Sequence, residues 1–307
     1  MGDYESDAMA LRAAIEGAGT DEDTLINLTA SKNNNDRCEI RKAYKASFGR
    51  DLLEDLRDDI GGNFGQVILS MYMSPVEYDV QELRKSVEGG GTEEGIISEI
   101  IGSRSNYRLK EILGLYKIKF DENFEERVKG EVSGDYEKLL VALLQCSRDD
   151  TDEVDEDACQ EDVNALYEAG EGKWGTDEET FNRIFATRNS YHLRRMNEMY
   201  IAEKETPLMD VVESEFGGDT KILLKTILHA HINPADYYAT RIYKACKGMG
   251  TDEETVTRAL VVMDEAFLPQ VKEIFESKYE TTMRDTIESE CSGDYCRMLL
   301  ALMDSTA

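Results

Sequence analysis

The feature that most constrains this chain is an internal repeat. The strings "EGAGTDED" at Glu16–Asp23, "EGGGTEEG" at Glu88–Gly95, "GKWGTDEE" at Gly172–Glu179 and "KGMGTDEE" at Lys247–Glu254 are variants of one segment. A second string follows each: "DIGGNF" from Asp59, "EVSGDY" from Glu131, "EFGGDT" from Glu215 and "ECSGDY" from Glu290. The threonines Thr20, Thr92, Thr176 and Thr251 are 72, 84 and 75 residues apart, so the chain is four units of about 70 residues. The longer middle interval is accounted for by "SRDDTDEVDEDACQ", Ser147–Gln160, an acidic linker between halves. The expected divisions are repeats at 1–73, 74–146, 161–231 and 232–307, with the linker at 147–160.

Inside a unit the apolar spacing is helical. In the first, Leu25, Leu28, Ile40, Tyr44, Phe48, Leu52, Leu53, Leu56 and Ile60 recur at intervals dominated by three and four. Two of the four prolines, Pro75 and Pro234, stand between units, where helices should stop. No segment alternates convincingly as a strand would. The expectation is an all-α fold, about five short helices per unit, with G-x-G-T joining the first helix to the second.

Composition excludes several function classes. With 64 acids against 35 bases the net charge is −29, which disfavours nucleic acid, whose phosphates need a basic face. No run approaches the length of a membrane span, and "MGDYESDAMA" lacks a signal peptide's basic flank and apolar run, so a cytoplasmic protein is expected. The six cysteines show no C-x-x-C pairing and read as small core residues. The only histidines, His192, His229 and His231, lie in no catalytic motif, and no enzyme activity is expected. The window Asp150–Glu161 fails as an EF-hand, with Val154 and Asp155 at its fifth and sixth positions, and reads as a solvated linker.

Two readings of the glycine loops stand side by side. In one they are helix joints: glycine ends a helix, threonine caps the next, and acids suit its positive end. Thr176 with Glu179, and Thr251 with Glu254, have the spacing of capping boxes. In the other reading they hold a cation. In every unit a carboxylate lies 40 residues beyond the loop's last glycine: Gly19 to Asp59, Gly91 to Glu131, Gly175 to Glu215 and Gly250 to Glu290. Ca²⁺ takes about six to eight oxygens, often backbone carbonyls with a bidentate carboxylate. A glycine-rich turn can aim successive carbonyls at one point. A single carboxylate against a divalent ion leaves about one positive charge, which attracts an anion. Calcium would then bridge an acidic protein to an acidic membrane, while screening over about 8 Å mutes acids elsewhere. Trp174, the only tryptophan, sits among glycines and acids. In such a loop it would meet the lipid interface, where indole rings concentrate; otherwise it is a partly buried ring capping a helix pair.

Four G-x-G-T loops, each answered by an acid 40 residues on, with "GKWGTDE" in the third unit, resemble the annexins over Ser6 to Leu302. The resemblance implies a slightly curved disc of four five-helix repeats with calcium loops on its convex face. It also implies reversible, calcium-dependent binding to acidic phospholipid membranes, with Ca²⁺ as cofactor and peripheral attachment when calcium rises. Carried over by position, the ligands of the first loop are the carbonyls of Ile15, Gly17 and Gly19 with the Asp59 carboxylate. Those of the second are Val87, Gly89 and Gly91 with Glu131. The third loop, one residue longer, uses Gly170, Lys173 and Gly175 with Glu215, and the fourth uses Cys246, Gly248 and Gly250 with Glu290. Trp174, Lys173, Lys247 and Met249 are placed at the membrane interface. A monomer in solution, with lateral assembly on membranes, is expected.

The chain also departs from the family pattern. Members usually carry a basic residue before the first glycine, and here only Lys247 provides one, with Glu16 and Glu88 in the first two loops. Those glutamates should bring a loaded loop nearer neutral, and Asp59, shorter than the usual Glu, should weaken the first site or make it share a water. Met263 replaces an arginine matched elsewhere by Arg104 and Arg188. Asp79 and Glu82 match acids that line a central pore in the family, and on their own read as ordinary solvated or salt-bridged helix charge. "MGDYES" fits the loose myristoylation pattern at Gly2, and only about five residues precede the first helix. The alternative function is a cytoskeleton-associated scaffold of the same fold, in which calcium and lipid are secondary.

Overall fold

The computed structural model describes residues 3–305 apart from 18, 173, 249 and 264–266. The possible acceptor Gly2 therefore lies outside the described residues. Among the described residues there are twenty α-helices and no strand, in groups of five. The first group is α1 (Tyr4–Ile15), α2 (Glu22–Ala30), α3 (Asn34–Phe48), α4 (Leu52–Asp59) and α5 (Gly62–Met71). The second is α6 (Pro75–Ser86), α7 (Glu94–Ser103), α8 (Asn106–Phe120), α9 (Phe124–Lys129) and α10 (Gly134–Leu144). The third is α11 (Glu156–Ala169), α12 (Glu178–Thr187), α13 (Ser190–Lys204), α14 (Leu208–Glu215) and α15 (Gly218–Ile232). The fourth is α16 (Pro234–Cys246), α17 (Glu253–Val262), α18 (Leu268–Tyr279), α19 (Met283–Glu290) and α20 (Gly293–Ser305).

Local chemistry sets these boundaries. Asn33, Ser105 and Asn189 each cap a group's third helix by accepting a backbone N–H, from Asp36, Arg108 and His192 respectively. The third helices end on a left-handed residue, first Gly49 and then Asp121, Glu205 and Glu280 at φ 53°, 58° and 55°. Only the first uses the residue for which that conformation carries no steric cost. Burial follows the helical period, as in α3, where Ile40 and Tyr44 are fully buried one turn apart.

The chain forms two compact units, one of Met1–Tyr78 with Ala235–Ala307 and one of Asp79–Pro234. In the first unit, α2 and α5 pack on α20, and α5 on α17. Leu25, Val67, Ile68, Val256, Met298 and Leu299 are fully buried in one shared core. At its surface Arg297 of α20 pairs with Asp23 of α2. In the second unit α7 packs on α15, and α10 on both α12 and α15. Ile97, Leu139, Leu140, Phe185, Leu223 and Ile227 are fully buried there. No helix among the described residues is long and apolar enough to cross a membrane.

The first part of the linker is docked rather than simply solvated. Arg148 donates to the carbonyls of Arg188 and Phe185 at 2.6 and 2.7 Å, and Asn189 donates to the Asp149 carboxylate and the Glu153 carbonyl. A buried guanidinium must find acceptors, and the end of α12 supplies them. Beyond Arg148, residues 149–157 are all exposed.

The departures noted in the sequence acquire partners. In three groups an acid of the first helix pairs with a base one or two residues beyond the second: Asp7 with Lys32 at 2.6 Å, Asp79 with Arg104 at 2.9 Å and Asp162 with Arg188 at 2.6 Å. The fourth group has Tyr238 and Met263 at these positions, so acid and base are replaced together, and Met263 is buried. Asp79 and Glu82 are thus both salt-bridged, Asp79 bidentately by Arg104 and Glu82 by Lys85 at 2.7 Å.

Candidate functional site

Each glycine loop is pinched at its base by one backbone hydrogen bond. The N–H groups of Asp21, Glu93, Asp177 and Asp252 donate to the carbonyls of Ala14, Ser86, Ala169 and Ala245 at 2.9, 2.9, 2.7 and 2.8 Å. The residues just inside the neck are Ile15, Val87, Gly170 and Cys246, and the three with larger side chains bury them in the core. Above the neck the backbone turns through φ of 121° and 105° at Gly17 and Gly19, and 135° and 103° at Gly248 and Gly250. Such values exclude a Cβ, which is why glycine recurs there. Among the described residues nothing donates a hydrogen bond to the carbonyls of Gly17, Gly19, Gly89, Gly91, Gly170, Gly175, Gly248 or Gly250. Lys173 and Met249 lie outside the described residues.

The distant acid is brought to each loop by the loop's own threonine. Thr20 Oγ1 donates to Asp59 Oδ2 at 2.8 Å, and Thr176 Oγ1 to Glu215 Oε2 at 2.7 Å. Thr92 Oγ1 lies 3.5 Å from Glu131 Oε2, and Thr251 Oγ1 donates to the Glu290 backbone carbonyl at 2.8 Å. Asp59, Glu215 and Glu290 end α4, α14 and α19, and Glu131 follows α9 by two residues. The second string's last glycine then reverses the chain into the next helix, as Gly134 does at φ 72°. In the third loop the fit is close: a methyl built on Gly170 would lie 3.3 Å from Glu215 Cγ and 3.5 Å from its carboxyl carbon.

The expected threonine caps are a correction. The caps are Asp21, Asp177 and Asp252, whose side chains accept from the N–H of Thr24, Thr180 and Thr255. The hydroxyls of those three threonines donate back to the second carboxylate oxygen. Neither Thr176–Glu179 nor Thr251–Glu254 forms a capping box, because a carboxylate suits the positive helix end better and the loop hydroxyl is committed to the acid's residue. Glu93 supplies no such cap in the second group.

Charges around the loops are paired. Arg12 holds Glu16 at 3.2 Å and Asp55 at 2.9 Å, and Arg84 holds Glu88 at 2.5 Å and Glu122 at 2.7 Å. The negative charge expected from Glu16 and Glu88 is therefore shared with an arginine one turn earlier, a spacing visible in "RAAIE" and "RKSVE". The Lys247 ammonium stands 5.3 Å from the centre of the Tyr243 ring, which stacks on Tyr279. Trp174 is fully exposed at 104 %, so it caps no helix pair. Burial pushes the Cys246 thiol up to about 11, which keeps its sulfur protonated at neutral pH and leaves the carbonyl as its only candidate donor. In the second loop Arg127 Nη2 donates to the Val87 carbonyl at 2.5 Å and lies 3.0 Å from Glu131 Oε1, an arrangement that sequence reading missed.

The donor set is all oxygen: carbonyls and one carboxylate per loop. No group of three or more His, Cys, Asp or Glu converges anywhere among the described residues. That chemistry suits a hard cation such as Ca²⁺ rather than zinc. Residues 6–71, 78–143, 161–227 and 237–302 each match the family model described as Annexin. The chain belongs to the annexin family. Annexins are calcium-dependent phospholipid-binding proteins. Human annexin A7 is 39% identical over 297 residues, covering 97% of this annexin but 61% of its own length. This annexin thus spans about three fifths of the first curated relatives it matches. The structure of annexin III superposes with a TM-score of 0.93 at 32% identity, over 98% of this annexin and 94% of the other chain. Calcium-bound annexin (Sm)1 superposes with a TM-score of 0.86 at 27% identity, over 98% and 90% of the two chains.

Proposed function

We propose that this annexin attaches reversibly to acidic phospholipid membranes through calcium held in its four glycine loops. The observation that carries the reading is that every loop threonine is bonded to, or within 3.5 Å of, the residue bearing the distant acid. The ligands are the carbonyls of Ile15, Gly17 and Gly19 with Asp59; of Val87, Gly89 and Gly91 with Glu131; of Gly170, Lys173 and Gly175 with Glu215; and of Cys246, Gly248 and Gly250 with Glu290. When bound, calcium supplies net positive charge and open positions for a phosphate oxygen. The chain's own part is preorganisation: the necks hold the loops shut at the base, the described glycine carbonyls are without donors, and threonine engages the residue that bears the acid.

Trp174 and Lys247, with Lys173 and Met249, meet the headgroups, and the repeats divide at 1–73, 74–146, 161–231 and 232–307 around the 147–160 linker. The protein is cytoplasmic and becomes peripheral at membranes when calcium rises. Bound calcium in annexin (Sm)1, of the same fold, supports the reading.

Cosedimentation with phosphatidylserine liposomes, with and without calcium, tests it while Trp174 emission is followed. Calcium-dependent pelleting with a blue shift is the expected result. Pelleting without the shift removes Trp174 from the interface. No pelleting at millimolar calcium overturns the membrane reading and favours the scaffold, which filament cosedimentation would then detect.

A further inference from the structure

The second loop differs from the others in what already engages its oxygens. Arg127 sits within α9, four residues before Glu131. Its Nη2 donates to the Val87 carbonyl at 2.5 Å and lies 3.0 Å from Glu131 Oε1. These are the carbonyl at the loop's root and the loop's only assigned carboxylate. The threonine contact is 3.5 Å from Thr92 to Glu131 against 2.8 and 2.7 Å in the first and third loops, while in the fourth Thr251 bonds the Glu290 backbone carbonyl instead. In the other groups the position four residues before the acid is Asp55, Val211 or Thr286, none of them basic.

We infer that Arg127 is a tethered cation that competes with calcium for the second loop, so that this loop fills only as the guanidinium is displaced. The inference rests on the reading that Val87 and Glu131 are calcium ligands. An N–H donor and a metal ion need the same lone pairs, and two cations at one carboxylate repel each other. The arginine is covalently attached, so it competes at a fixed effective concentration, and apparent calcium affinity falls in proportion to the fraction of time the loop is free of it. Charge-assisted hydrogen bonds of this kind weaken the site by roughly ten- to a hundred-fold. The side chain is 34% exposed, so it can leave by rotamer changes without unfolding α9. The result is a graded protein whose second loop responds at higher calcium than it would without this one residue.

The test uses the full chain with the other loops silenced by Asp59→Asn, Glu215→Gln and Glu290→Gln. Calcium is titrated calorimetrically with Arg127 intact and with Arg127→Met. The Met variant should bind one calcium about ten-fold or more tighter, and adding Glu131→Gln should abolish that binding. Equal affinities, both still lost with Glu131→Gln, overturn the competition while leaving the ligands in place. Binding that ignores Glu131→Gln overturns the ligand assignment itself. In chelator, Arg127→Met should lower the melting midpoint, because Glu131 and Val87 lose their donor, and calcium should raise it more than in the parent. If the Met variant does not fold, Arg127→Lys carries the test: its point charge lacks the planar fork, so tighter calcium binding than with arginine is expected, and unchanged or weaker binding overturns the proposal.

Discussion

A threonine hydroxyl has one proton to give, and where these loops spend it decides what the neighbouring residues become. Thr20 and Thr176 give it to a carboxylate 39 residues away, which leaves Asp21 and Asp177 to cap the helices that follow. The loop and its acid were legible in the sequence because both recur at a fixed interval in four units. The division of labour between Thr and Asp was not, since either side chain can cap and only the distant partner decides. Arg127 was half legible: its spacing to Glu131 shows, but its reach to Val87 exists only once α9 is folded against the loop.

His231 shows the same limit and carries a prediction. Its Nδ1 lies 2.8 Å from Ser190 Oγ, and burial, reinforced by the nearby Arg148 charge, pushes its pKa down to about 3 from 6.5. Below 6.5 the unfolded chain takes up a proton that the folded chain refuses, so this group's stabilisation is complete above 6.5 and is lost progressively as pH falls toward 3. The slope is at most about 1.4 kcal/mol per pH unit. Urea unfolding between about pH 7 and pH 4.5 should therefore show a shallower acid dependence in His231→Gln than in the parent.

At the scale of elements, α7 and α15 pack tightly at Gly102. A methyl there would meet Leu223 Cδ1 at 3.0 Å and Thr226 Cγ2 at 3.1 Å, both on the facing helix. Gly102→Ala should destabilise by about 1–3 kcal/mol through overpacking. Gly114→Ala, in α8 with open space around it, should instead stabilise by about 0.5–1 kcal/mol. Denaturant midpoints of the two variants check both signs. Five helices per group were legible because apolar residues keep the helical period and Pro75 and Pro234 mark the joints. Which groups share a core was not. Leu25 reads the same on the page whether its face meets α20 or some other helix, and an isolated glycine in "IIGSR" does not name its neighbour.

On the scale of the whole molecule, a net charge of −29 must be carried by every folded copy. Self-repulsion weakens the compact state and salt screens it, so the thermal midpoint without calcium should rise between about 0.01 and 0.5 M sodium chloride. A midpoint that stays flat or falls would show that the local pairings of Arg12, Arg84 and their acids already offset the surplus. Finally, one of the two compact units is interrupted, with Met1–Tyr78 completed only by Ala235–Ala307. During synthesis the first segment must wait while 156 residues are added, a delay of roughly ten to thirty seconds at ordinary elongation rates. Throughout it, the faces of α2 and α5 that α17 and α20 will cover have no partner, and a chaperone has a reason to visit. The uninterrupted unit is under no such delay. Loops two and three can thus be finished while the chain is still on the ribosome.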